Sequence, residues 1–180
     1  VTEFTLKEVE RVWLISDTHF DHTNIIGYCN RPFASAVEMN SVLLQNWNDT
    51  IAPGDLVYFL GDMTYGRGSK GPRWWAAQLN GRKVWVKGSH DNGIQPTSVI
   101  SGVERVVFND VIACDGVEFI LTHDGFGLNG WKGWKIQGHV HNNKPHIDHV
   151  WKHINVSVEV IGYKPVSLAQ IVREVRSEEY

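Results

Sequence analysis

Five short apolar runs in this chain each end in an acidic residue or a histidine, and that repetition constrains the fold more than any other feature. Val12-Trp13-Leu14-Ile15-Ser16 leads into Asp17-Thr18-His19, and Leu56-Val57-Tyr58-Phe59-Leu60 into Gly61-Asp62. Val84-Trp85-Val86-Lys87 leads into Gly88-Ser89-His90-Asp91, Phe119-Ile120-Leu121-Thr122 into His123, and Trp134-Lys135-Ile136-Gln137 into Gly138-His139-Val140-His141. Short β-branched and aromatic runs of this kind read as buried strands. In open α/β sheets, ligands gather beyond the carboxyl ends of strands. Five such ends carrying oxygen and imidazole donors would build one cluster of metal ligands.

Composition narrows the class. A chain of 180 residues that is 42% hydrophobic, with eight Trp, buries enough surface to fold as one domain over residues 1–180. The net charge is −3 and no basic stripe stands out, which argues against a dedicated binder of long nucleic acid. A small phosphoester is still admissible, because bound metal ions reverse the local field. Cys29 and Cys114 are the only cysteines, too few for a disulfide framework, and read as free thiols. The amino-terminal residues lack a basic region followed by an apolar run, and no stretch approaches membrane-spanning length. A cytoplasmic protein with no membrane partner is the expectation; the oligomeric state is open.

Between the runs, the pattern alternates. Ser35 and Glu38 fit a capping box that opens a helix running toward Asn48. Pro72 suits a first helical turn before Trp74 to Leu79, and Ser167 suits the cap of a last helix from Leu168 to about Val175. Val103 to Cys114 reads as one or two strands, and Asp115-Gly116 as a hairpin turn. Ile154 to Val158 alternates like a half-buried strand. Interleaved strands and helices give an α/β or layered α+β class.

Asp17 and His19 are two residues apart, so on extended backbone both side chains would face one ion, and His139 with His141 repeats the spacing. Carboxylate and imidazole together suit Zn²⁺, Mn²⁺, Fe or Co more than Ca²⁺. The two oxygens of Asp62 can bridge two ions. A bridged pair acidifies a shared water and clamps the attacking and leaving oxygens of a displacement, chemistry most often used for phosphoryl transfer.

In this order, the five signatures resemble the calcineurin-like metallophosphoesterases: Asp17-x-His19, Gly61-Asp62, Gly88-Ser89-His90-Asp91, His123 and Gly138-His139-x-His141. Ser16 to Phe20 and Tyr28 to Phe33 look like the compact bacterial and phage-type members. The resemblance implies a four-layer αββα sandwich of two mixed β-sheets between outer helices. It implies that Asp17, His19 and His141 hold one metal, that His123 and His139 hold a second, and that Asp62 bridges them. It places His90 beside the leaving oxygen and Asp91 as the group that orients the His90 imidazole. The family's usual Asn ligand falls at position 89, here Ser89, a shorter and weaker donor, so a looser second site is expected. His123-Asp124-Gly125 also departs from the family's commoner His-aromatic-Pro. The implied activity is hydrolysis of a small phosphoester by in-line attack of a metal-bridged hydroxide, with a diester ahead of a monoester and a nucleotide-derived substrate admissible. The implied cofactor is a pair of divalent ions, Mn²⁺ first, with Fe, Zn, Co or Ni as alternatives. The competing reading is an idle scaffold of the same fold that serves as a protein-interaction module.

Three residues near the first motif could touch substrate: His22, Asn24 and Arg31. The bland alternatives are a surface turn for His22 and Asn24, and for Arg31 an ion pair that fixes its loop. Arg67, Lys70 and Arg73 read as a solvated basic loop, and Gly125 to Trp131 as either a rim that sets substrate size or a plain surface loop. His146, His149 and His153 receive no function.

Overall fold

The computed structural model describes residues 1–128 and 130–177. The apolar runs form strands. In chain order they are β1 (Thr2–Phe4), β2 (Val12–Ile15), β3 (Leu56–Phe59), β4 (Arg82–Val86), β5 (Val103–Val107), β6 (Asn109–Cys114), β7 (Val117–Thr122), β8 (Trp134–Gln137), β9 (Ile147–Asp148), β10 (His153–Asn155) and β11 (Val166–Ser167). The helices are α1 (Thr23–Tyr28), α2 (Ala36–Thr50), α3 (Pro72–Gln78) and α4 (Leu168–Arg176).

The strands divide into two mixed sheets with flanking helices. One has the order β11-β2-β3-β4-β5, with only β11 antiparallel; the other has the order β1-β6-β7-β8-β10-β9. The segment Val103 to Cys114 is two strands in two different sheets, and the chain crosses between them at Phe108. Strand alternation explains the layering. Leu14, Tyr58, Val84 and Val86 share one cluster with Ile112, Phe119, Leu121 and Ile136, which fills the space between the sheets; α4 joins it through Leu168, Ile171 and Val172. The opposite faces of β2, β3 and β4, with Ile15, Val57, Phe59 and Trp85, pack against Ile25 of α1, Met39, Leu43 and Trp47 of α2, and Trp75 of α3.

Local signals hold with small shifts. The Ser35 hydroxyl accepts the Glu38 amide at 3.2 Å, but the Glu38 carboxylate reaches back to the Ala34 amide, one residue earlier than a capping box requires. Ser167 caps α4 by accepting from the Gln170 amide at 3.1 Å. The half-buried reading of Ile154 to Val158 is corrected: every residue from His153 to Ser157 and Val158 is buried, because this segment lies between β8 and the end of β2. Among the described residues no helix is long and apolar enough to cross a membrane.

What matters for the site is direction. β2, β3 and β4 run parallel in one sheet, and β7 and β8 run parallel in the other. The five acid- or histidine-bearing segments therefore meet at one end of the sandwich, three from one sheet and two from the other.

Candidate metal centre

The loops after those strands are backbone-strained. Asp17, His19, Asp62, His139 and His141 all sit at positive φ, between 47° and 68°. Non-glycine residues rarely adopt this region, and such strain gathers at functional sites. This corrects the reasoning from extended backbone. Asp17 and His19 converge because two left-handed residues wind the chain around the site, not because a strand continues through them.

Two groups of donors result. Asp17, His19 and His141 bring one ligand atom each within 4.8 Å of one another, and Asp62, His123 and His139 do the same. Asp62 stands between them. Its Oδ2 lies 3.6 Å from His19 Nε2, 3.3 Å from His123 Nε2 and 3.3 Å from the Ser89 hydroxyl. Asp17 Oδ1 lies 3.9 Å from both His19 Nε2 and His141 Nε2.

Contacts on the far side of three of the histidines fix which ring atom faces the cluster. His123 Nδ1 is held at 2.7 Å by the Leu60 carbonyl, His141 Nδ1 at 2.9 Å by Glu159, and His19 Nδ1 lies 3.3 Å from His22 Nδ1. Each leaves an Nε2 pointing inward, the arrangement in which an outer partner sets a ligand's tautomer. Asp17 Oδ2 accepts from the His139 amide at 2.8 Å and the Ser157 hydroxyl at 2.9 Å, and Asp62 Oδ1 accepts from the His90 amide at 2.7 Å. One oxygen of each carboxylate is thus used structurally and the other is turned to the cluster.

Asp17 Oδ1, His19 Nε2 and His123 Nε2 are buried without any hydrogen-bond partner. Buried polar atoms are normally satisfied, so three convergent orphans among carboxylate and imidazole donors fit cations of small radius. The electrostatics agree. Burial pushes the Asp17 carboxyl up and the His19 imidazole down to about 2. Burial also opposes ionisation of Asp62 and His123, but their mutual attraction prevails, holding Asp62 below the usual carboxylate range and raising His123 to about 9. Asp62 is thus held ionised and His19 unprotonated, the forms in which a carboxylate and an imidazole can ligate a cation.

A third group, Cys29, His141 and Glu159, is close enough for a metal but differently used. Burial and the Glu159 carboxylate push the Cys29 thiol up to about 11, which withholds the thiolate that a metal needs. Glu159 is already engaged by His141 and Arg31.

Two expectations are corrected here. Asp91 does not orient the His90 imidazole. It is buried, and its two oxygens accept from the amides of Asp62, Met63 and Gly88 and from the Trp85 indole, at 2.8 to 3.0 Å. It ties the loop after β3 to the loop after β4. The His90 ring instead sits between His19, 5.5 Å away, and Tyr65, 4.4 Å away. Arg31 follows the ion-pair alternative and is not a substrate clamp. Its guanidinium is buried, paired with Glu159 Oε1 at 2.6 Å, and donates to the carbonyls of Asp17 and Thr18. His22 is half-buried beside His19, while Asn24 stands exposed in the first turn of α1 with no hydrogen bond to the cluster. His139 is exposed, its ring 5.1 Å from that of His123.

Glu159 went unnoticed in the sequence, though a signal was there. Ile154-Asn155-Val156-Ser157-Val158, read as an alternating strand, also leads into an acid, Glu159. Burial opposes its ionisation, but the His141 and Arg31 contacts prevail and hold it at about 2.

Comparison with known proteins points one way. A model of the calcineurin-like phosphoesterase family matches residues 10–170. An uncharacterised protein of Methanocaldococcus jannaschii, MJ1445, is 43% identical over 173 residues, covering 92% of this chain and 91% of its own. The crystal structure of AQ665, a protein of unknown function from Aquifex aeolicus, superimposes with a TM-score of 0.70 at 26% identity, covering 91% of this chain and 98% of that one.

Proposed function

This chain belongs to the calcineurin-like phosphoesterase family, and we propose that it hydrolyses a small phosphoester with the help of two divalent metal ions, a diester ahead of a monoester. The observation that carries the reading is the position of Asp62 Oδ2, shared between His19 of one donor group and His123 of the other. Asp17, His19 and His141 would hold one ion and His123 and His139 the second, with Asp62 common to both. Mn²⁺ is the first choice, and Fe, Zn, Co or Ni satisfy the same donors. When bound, the ions supply positive charge for the phosphoryl oxygens and acidify a water for attack on phosphorus.

The chain's own residues do the rest. His90 stands half-buried at the open side of the cluster, its amide anchored on Asp62, so its imidazole can donate a proton to the leaving oxygen. Asp91 holds the backbone that carries both His90 and Asp62. Glu159 keeps His141 Nε2 turned inward. Arg31 is locked to Glu159, so it offers no clamp for a monoester dianion, which favours a diester.

The test is hydrolysis of bis-p-nitrophenyl phosphate by chelator-treated protein, with and without Mn²⁺. Turnover that appears only with metal is expected. Folded, metal-loaded protein that turns over neither this diester nor p-nitrophenyl phosphate would remove the reading. Ser89 favours the second reading, an idle scaffold, because its exposed hydroxyl reaches only Asp62 Oδ2, at 3.3 Å. Ser89→Asn should then raise metal occupancy at limiting Mn²⁺; unchanged occupancy would show that Ser89 is no weak point.

A further inference from the structure

We infer that the substrate is a linear nucleotide diester with a base on each side of the scissile phosphate, held in a cleft that crosses the metal centre; this rests on the phosphoesterase reading above. The residues of the centre form walls of hollows on both flanks. On one flank His90, Tyr65, Arg67, Ser69 and Asn92 line a hollow of about 470 Å³. On the other, His139, Asp124 and Phe126 line one of about 570 Å³. Asp124 also borders a further hollow of about 360 Å³, with Lys135, Lys144 and Trp151. Each is of a size that takes a small-molecule group of the nucleoside class.

Each flank presents an aromatic ring to solvent. Tyr65 is 43% exposed, Phe126 88% and Trp151 78%. Tyr65, which packs on His22 and His90, and Phe126 border hollows that His90 and His139 also line, and exposed rings so placed are suited to stacking on bases; Trp151 lies farther off, before β10 at the other end of the sheet. Each flank also offers cations. Among the described residues Arg67, Lys135 and Lys144 have no carboxylate partner. Two carboxylates share the second flank, but they serve the loops that present the rings: Asp124 Oδ1 accepts the Phe126 amide at 2.9 Å, and Asp148 Oδ1 accepts the Trp151 amide at 3.1 Å. In the wall of the same flank, Gln137 Oε1 and His153 Nε2 have no partner within the protein.

A ring and a cation on both sides of the scissile position match a diester with two nucleoside arms. A cyclic nucleotide or a monoester would fill one flank and leave the other empty. The net charge of −3 and the two acids on the second flank limit the length that can be held. The substrate class is therefore a dinucleotide or the end of a short single strand, and not a long polymer.

The test compares three substrates with Mn²⁺-loaded protein: adenylyl-adenosine, the methyl phosphodiester of adenosine, and cyclic AMP. The two-armed ester should show kcat/KM about tenfold or more above the others, the size expected of one stacked base. Tyr65→Ala and Phe126→Ala should each erode that preference, mainly through KM, while Tyr65→Phe keeps it. A readout without turnover is the fluorescence anisotropy of labelled triadenylate on chelator-treated protein, weaker in Tyr65→Ala, Phe126→Ala and Arg67→Ala. Equal kcat/KM for one- and two-armed esters, or preference for cyclic AMP, would overturn the inference and leave the phosphoesterase reading standing. Triadenylate binding without turnover of any ester would support the cleft and overturn that reading. Neither binding nor turnover would overturn both.

Discussion

Gly138 has no room for a side chain. A Cβ there would fall inside the radii of the Ser16 hydroxyl and of Asp17 Oδ2, and one at Gly88 would do the same to the Asp62 carboxylate and amide. The glycines of the motifs are therefore molds for the ligands beside them. Gly138→Ala should move Asp17 and lower bound Mn²⁺ by at least about tenfold, in the range seen when a ligand's support is removed; metal analysis of protein with an unchanged circular dichroism spectrum is the check, and full occupancy would contradict it. Arg31 makes the opposite kind of claim. Its guanidinium and the Glu159 carboxylate are both almost fully buried, so Arg31→Ala leaves a charge unpaired and should cost about 3–5 kcal/mol in urea denaturation. A variant of ordinary stability with only a raised KM would return Arg31 to the substrate.

At the scale of elements, the boundary between α3 and β4 carries a buried lysine. Lys83 donates to the carbonyls of Leu79 and Gly81, at 2.6 and 2.8 Å, stitching the end of α3 to the start of β4. Burial holds its ammonium down to about 8, against an ordinary 10.5. Between those values the unfolded chain carries a proton that the folded protein has lost, so folding stability rises with pH through that window. Lys83→Met should remove this rise; parallel urea midpoints for both proteins at pH 8 and pH 10 would refute it. The segment Ile154 to Val158, which leads into Glu159, shows a limit of pattern reading. Its alternation suggests one wet face, yet a strand set between β8 and the end of β2 has none.

Across the whole molecule, the centre joins the two sheets at the one end where β2, β3, β4, β7 and β8 finish. Without cations, Asp17 Oδ1, His19 Nε2 and His123 Nε2 remain unsatisfied at that seam. Chelation should therefore lower the melting temperature, and Mn²⁺ should restore it in a concentration-dependent way, adding about 2.7 kcal/mol of stability at a hundredfold excess over Kd. A melting temperature indifferent to metal would mean that the seam holds without it. The sequence by itself determined the strands and the donors at their ends, because burial and ligand chemistry are properties of residue type and spacing along a single run. It also carried the capping of α2 and α4, which spans three residues. Only the tertiary structure decided that the runs divide between two sheets and that the ligand backbones turn left-handed. It alone gave Asp91 to the backbone and paired Arg31 with Glu159, 128 residues away. Those outcomes depend on which surfaces meet after the chain has crossed from one sheet to the other, and no local pattern encodes a partner that far along the chain.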